Sequence, residues 1–171
     1  GTGWLSRFMT QLGCRVILLD VSTSALAVAQ ELYDRQPIIG DRPRPGFMPF
    51  NGHHIELPDE SVDRIVSFHA FHHVPNPETV LGEFGRVLRP GGIAAFVERG
   101  PTHSHDAQSQ FEMRNYGVVE NDIDVHALWR TAQASGFSDL KLAVHHAPLF
   151  LVSLGEFEDF LAESSAGEPW V

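Results

Sequence analysis

Histidine is the side chain in this sequence best suited to proton chemistry near neutral pH, and it is grouped. Ten occur, paired at His53-His54, His72-His73 and His145-His146, with His103 and His105 two residues apart. An imidazole near its ordinary pKa serves as general base or acid. A metal centre would need three or four ligands converging on one point. Adjacent residues of an extended chain face opposite ways, so each pair supplies one ligand easily, and no metal site is expected. Two carboxylates complete the set: Asp20 closes the apolar stretch RVILLD, and Glu98 follows the apolar run Ile93 to Val97. Gly1-Thr2-Gly3 stands roughly twenty residues before Asp20.

The elements that must hold these residues are legible from period and punctuation. Asn76 caps a helix that has Pro77 at its first position, where the missing N–H costs nothing. Val80, Leu81, Phe84, Val87 and Leu88 recur at helical spacing until Arg89-Pro90-Gly91-Gly92 stops the helix, and Ile93 to Val97 is a strand. Upstream, Trp4, Leu5, Phe8, Met9 and Leu12 form an apolar-polar stretch that Gly13 breaks, and Arg15 to Asp20 is a short strand. Ser22 or Ser24 caps a helix with Leu26, Ala29, Leu32 and Tyr33 on one stripe. Gly40 to Gly46 is a rigid connector, Phe47 to Phe50 a short strand, and Leu57 to Ser61 a turn into the strand Val62 to Phe68. Gly100 to Asn121 reads as a long irregular piece. Asp124 caps a last helix carrying Val125, Leu128, Trp129 and Ala132, and Leu140, Leu142 and Val144 alternate as a strand. Strands alternating with helices imply a doubly wound, mostly parallel α/β sheet with helices on both faces, whose ligands bind beyond the carboxyl ends of the strands.

Taken together, the segment FHHVPNPETVLGEFGRVLRPGGIAAFVE (Phe71 to Glu98) and the Gly1-Thr2-Gly3 to Asp20 interval resemble the class I S-adenosylmethionine-dependent methyltransferases. The resemblance implies a Rossmann-like methyltransferase fold with S-adenosylmethionine as cofactor. It assigns Gly1, Thr2 and Gly3 to the cofactor loop, Asp20 to the ribose hydroxyls and Val21 to the adenine. Counting back from Leu57 to Asp63, the residue contacting the adenine amino group falls on Asn51, with Gly52 beside it; the family generally has Asp there. His69 corresponds to the position that offers a carbonyl to the methionine amino group, and His72 lies near the methyl donor, as a pocket-shaping histidine or as a direct participant. In that family a strand precedes the glycine loop. On this resemblance residues 1–171 are a single domain incomplete at its N-terminus, with the first strand of the sheet missing, and open to extension at its C-terminus. The 171-residue chain is accordingly expected to leave strand edges unpaired.

Methyl transfer is an in-line displacement that positioning alone can accelerate, while a hydroxyl acceptor gains from a general base. His103, then His105 and His72, are the candidates; Glu98 is expected to orient substrate or line the cofactor pocket. The polar residues Gln108, Gln110, Glu112, Arg114, Asn115 and Tyr116 suit a small-molecule or glycan acceptor with hydroxyl or amine groups. The segment also resembles methyltransferase domains that occur beside glycosyltransferases in bacterial surface-polysaccharide pathways, which implies fusion to, or work beside, such an enzyme. Two other readings are a catalytically inactive cofactor-binding or interaction domain and an NAD(P)-dependent oxidoreductase, whose fingerprint would want a smaller residue than Ser6 where it stands.

Charge and composition exclude other classes. Twelve Lys and Arg against 22 Asp and Glu give a net charge of −10, so nucleic acid is not an expected partner. No run of eighteen apolar residues appears, so no membrane partner is expected. The single Cys14 cannot form an internal disulfide, and a cytoplasmic location is the expectation.

Overall fold

A computed structural model describes residues 1–143. Five helices and four strands alternate along it: α1 (Trp4–Gln11), β1 (Ile17–Asp20), α2 (Thr23–Arg35), β2 (Gly46–Pro49), β3 (Val62–Phe68), α3 (Pro77–Val87), β4 (Leu88–Val97), α4 (Ala107–Tyr116) and α5 (Val125–Ala134). The helix starts follow the capping chemistry in the sequence. The side chains of Ser22, Asn76 and Asp124 accept from the backbone N–H groups of Ala25, Thr79 and Ala127 at 3.1, 3.0 and 3.0 Å.

The strands pair in parallel, β1 with β2 and β3 with β4, as the α/β reading requires. They form two sheets of two strands, and among the described residues no strand joins β1 to β3. Arg89 to Gly92 is not a turn ahead of the last strand, as the sequence suggested, but an irregularity inside β4. Leu88 is already paired with Val62, and pairing resumes at Ile93 opposite Arg64. Gly92 is required there, since a Cβ would stand 2.8 Å from the Arg89 carbonyl oxygen.

One face of the β3–β4 sheet is covered by α3 and α5. Phe71, Val80, Leu81, Phe84, Val87 and Ala132 are buried there, with Ile65 and Phe96 packed against them. Phe96 lies 5.0 Å from Phe71 and 5.7 Å from Phe84 between ring centres. By strand alternation the other face carries Val66, Phe68, Ile93 and Val97, which are exposed. A smaller cluster of Leu18, Leu26 and Ala29 holds α2 against β1. Its neighbour is polar: Ser6 Oγ and Thr10 Oγ1 bond the Tyr33 hydroxyl at 3.1 and 3.2 Å.

Two expectations change. The Gly100 to Asn121 region is not irregular throughout but contains α4, capped by the Asp106 side chain on Ser109 N–H at 2.7 Å and ended by Gly117 at φ +65°. It was hidden because its residues are polar on most sides and lack an apolar stripe. Leu140 to Leu142 are not in a strand; Val144 and the His145-His146 pair lie outside the described residues. No helix among the described residues is long and apolar enough to cross a membrane.

Candidate active site

Two groups of sequence-chosen residues meet at the carboxyl ends of the strands. The first surrounds the start of α1. Gly3, at φ +82°, turns the chain into the helix, and a Cβ there would meet Leu18 Cδ1 at 2.6 Å and Ala29 Cβ at 3.3 Å. Only glycine therefore lets the loop settle onto β1 and α2. Gly1 lies against Asp20, whose Oδ1 accepts from the Ser22 N–H at 2.7 Å. Gly1 and Asp20 thus lie side by side at the end of β1. Thr2 and Val21 are exposed beside them. Trp4 packs edge-on against Phe68 with ring centres 5.1 Å apart, so the end of β3 lies at the same helix start.

The segment expected at the adenine is fastened by residues that sequence reasoning passed over. Arg86 on α3 donates to the carbonyls of Ile55 and Leu57, each at 2.8 Å, and grips Glu83 through two nitrogens at 2.7 and 2.8 Å. Glu83 also accepts from the Ile55 N–H at 2.9 Å. The hydrogen bonds from Arg86 hold its carboxyl at a pKa of about 2, below the ordinary carboxylate range, against the opposing effect of burial. Asn51 Oδ1 accepts from the N–H groups of His53 and His54 at 2.8 and 2.7 Å. Both lone pairs of that oxygen are used in closing the turn, so an adenine contact would compete with the loop's own bonds. Gly52, at φ +85°, is buried against Pro75, whose Cδ would be 2.8 Å from a Cβ, a packing reason for glycine there.

The second group is the histidine cluster. His72, on a 3-10 turn at Phe71–His73 after β3, is buried and pairs its Nδ1 with Glu98 Oε2 at 2.5 Å. Glu98 is fixed in turn, its Oε1 accepting from the N–H groups of Phe71 and Ala70 at 2.9 and 3.2 Å. Burial pushes the Glu98 pKa up, but the bonds from His72, Phe71 and Ala70 prevail and it lies below its ordinary value. His103, on a second 3-10 turn after β4, is also buried, and its ring stands edge-on to His72 with centres 4.7 Å apart. Between them lies Glu120, its side chain 1% exposed, with Oε2 3.5 Å from His72 Nε2 and 3.2 Å from His103 Nε2. Asn121 anchors this acid by donating through its backbone N–H and its amide to the His72 carbonyl at 2.9 and 3.0 Å. Asp122 accepts from the N–H and hydroxyl of Ser104 at 3.1 and 3.0 Å. The backbone bond is the larger cause of its lowered pKa.

The structure therefore unites His72, Glu98 and His103 and adds Glu120, which no spacing signalled. It separates His105, whose side chain is 76% exposed with its nearest acid, Asp122, at 3.8 Å. Residues two apart on one tight turn cannot both point inward. His69 follows β3 at φ +48°, its N–H on the Val97 carbonyl at 2.8 Å and its side chain exposed. Thr102, just before His103, is also left-handed at φ +74°. Non-glycine residues in this region of backbone space gather at functional rims.

Residues 1–96 match the family model described as a methyltransferase domain, more than half of the chain. The chain belongs to the methyltransferase-domain family. Among curated members, the malonyl-[acyl-carrier protein] O-methyltransferase of Yersinia pestis is 38% identical over 96 residues, 56% of this chain and 33% of that protein. The sterol 24-C-methyltransferase of Eremothecium gossypii is 31% identical over 94 residues, 55% of this chain and 24% of that one. The matched stretch of this chain thus spans about a third or less of the length of these relatives. A crystal structure of an S-adenosylmethionine-dependent methyltransferase from Mesorhizobium loti superposes with a TM-score of 0.67 at 21% identity, covering 96% of this chain and 82% of that one, which establishes the shared fold.

Proposed function

We propose that this chain binds S-adenosylmethionine at the Gly1 to Gly3 loop and Asp20 and takes part in methyl transfer to a small hydroxyl- or amine-bearing acceptor. The observation that carries the reading is the seat of the glycine loop on β1, where Gly3 lies against Leu18, two residues before the acid Asp20 that ends the strand. That end lies against the end of β3, from which His72 follows. The residues fit the cofactor: Asp20 retains acceptor capacity for a ribose diol, and Gly3 places no side chain at the loop. When bound, S-adenosylmethionine supplies a methyl group activated by its sulfonium.

This chain's residues supply position and proton handling. Glu98 fixes the His72 ring, and Asn121 and Asp122 fix the segment that carries Glu120. His103 Nε2 is buried with no hydrogen-bond partner, so its lone pair is available to take the acceptor's proton as the methyl transfers. His72 shapes the pocket beside it, and His105 stands on the exposed rim. Family members act by name on an oxygen in one case and on a carbon in another, so the acceptor is chosen by what surrounds the core. Here that is polar: α4 presents Gln108, Glu112 and Asn115, part of whose hydrogen bonding is internal, which favours a hydroxylated molecule such as a glycan. Work beside a glycosyltransferase follows as part of the same reading.

With S-adenosylmethionine carrying a labelled methyl group and a panel of glycan and small hydroxylated acceptors, His103→Ala should lower turnover by about 10²- to 10⁴-fold while cofactor affinity is kept. Equal loss of cofactor affinity would move His103 to the cofactor site, and full turnover would leave positioning as the whole of catalysis.

A further inference from the structure

Among the described residues, three buried side-chain atoms lack a hydrogen-bond partner, and two of them face each other: His103 Nε2 and Glu120 Oε2. His72 Nε2 is the third corner, and the ligand atoms of His72, His103 and Glu120 all lie within 4.8 Å of one another. Stranding a carboxylate oxygen and an imidazole nitrogen out of water carries a desolvation cost that structures ordinarily relieve. A charge-assisted hydrogen bond would relieve it at about 2.7–2.9 Å. The separations here are longer, 3.2 Å from His103 Nε2 and 3.5 Å from His72 Nε2 to Glu120 Oε2. Ligands placed about 2.1 Å from a tetrahedral ion stand about 3.4 Å apart, close to the two separations from Glu120.

We infer that His72 Nε2, His103 Nε2 and Glu120 Oε2 bind a divalent transition-metal ion through two nitrogens and one oxygen. The donor set suits zinc, iron(II) or cobalt(II) better than magnesium or calcium, which prefer oxygen. The surroundings are those of a metal site as well. The remote nitrogen of His72 is held by Glu98 at 2.5 Å. That of His103 lies 3.2 Å from the Gly100 carbonyl and 3.5 Å from Asp122. Such outer partners set the tautomer that leaves Nε2 free to coordinate. The other Glu120 oxygen lies 3.4 Å from His73 Nδ1. The count of one ligand per histidine pair, from which no metal was expected, still holds. The third ligand is an acid from a separate segment. The site does not depend on the methyl-transfer reading: where an ion is bound it would occupy the His103 lone pair, and His103 would then serve as a ligand and not as a base.

Metal-free full chain titrated with cobalt(II), without S-adenosylmethionine or acceptor, should bind one equivalent with the intense visible bands of a low-coordinate site, displaced by zinc. Glu120→Gln and His103→Gln should abolish those bands, and Glu98→Gln should weaken binding by about 10- to 100-fold. His126→Ala, at an exposed histidine on α5, should change nothing. Circular dichroism of each variant separates loss of ligation from loss of fold. Absence of a stoichiometric site in the wild-type chain, or bands that persist in folded Glu120→Gln and His103→Gln, overturns the proposal. Since no activity is read, this failure is distinct from failure of the methyl-transfer reading.

Discussion

The two halves of the molecule solve the same packing problem to different depths. Around β3 and β4, α3 and α5 close over one sheet face and bury a contiguous set from Phe50 and Ile55 through Val80, Phe84 and Val87 to Ala132. Around β1 and β2 the buried cluster is Leu18, Leu26 and Ala29, supplemented by the hydroxyls of Ser6, Thr10 and Tyr33. Helix α1, which belongs to that second half, keeps Trp4 and Phe8 exposed at 50 and 59%, and Leu12 just after it is 77% exposed. The histidine cluster grows from the well-packed half and the glycine loop from the sparse one.

Truncations should expose that difference first. Phe84→Ala removes a ring packed between Phe71 and Phe96 and should cost about 3–5 kcal/mol in urea unfolding. Leu26→Ala, in the smaller cluster, should fall near the lower end of the range for such losses, about 2 kcal/mol. A Leu26→Ala cost equal to that of Phe84→Ala would erase the contrast.

A smaller effect tests the strap that joins α3 to the loop at residues 53–59. Glu83 titrates near 2 in the folded chain and near 4.5 when unrestrained. A depressed carboxylate stabilises the fold above the unfolded pKa, and the contribution disappears as pH falls through the folded one. Wild type should therefore exceed Glu83→Gln by roughly 1–2 kcal/mol at pH 7, after allowance for partial exposure, with the gap closing between about pH 4.5 and 2. A gap independent of pH across that window would mean that the carboxylate charge is not what holds the loop.

Legibility in the sequence followed the same division. The Asn76-Pro77 start, the α3 stripe and the Ser22 and Asp124 caps are local chemistry, and the structure reproduces each within a residue or two. The Arg89 to Gly92 stretch was read as a turn because Pro and Gly punctuate turns; that strand pairing begins before it, at Leu88, depends on Val62 in a distant segment. Helix α4 was missed because polar residues surround it. At the site, the resemblance singles out Asp20 and His72 as expectations. Glu120 and Arg86 were not visible, since one earns its place through Asn121 bonding a carbonyl 49 residues away and the other through two carbonyls about thirty residues back. Such pairings leave no periodic trace.

The central claim is that the acid ending β1 holds the cofactor, and isothermal titration of S-adenosylmethionine into wild type and Asp20→Ala tests it most directly. Loss of hydrogen bonds to a charged carboxylate should weaken binding by about 1.5–3 kcal/mol, with the fold retained by circular dichroism. Unchanged affinity in the folded Asp20→Ala chain would contradict the account.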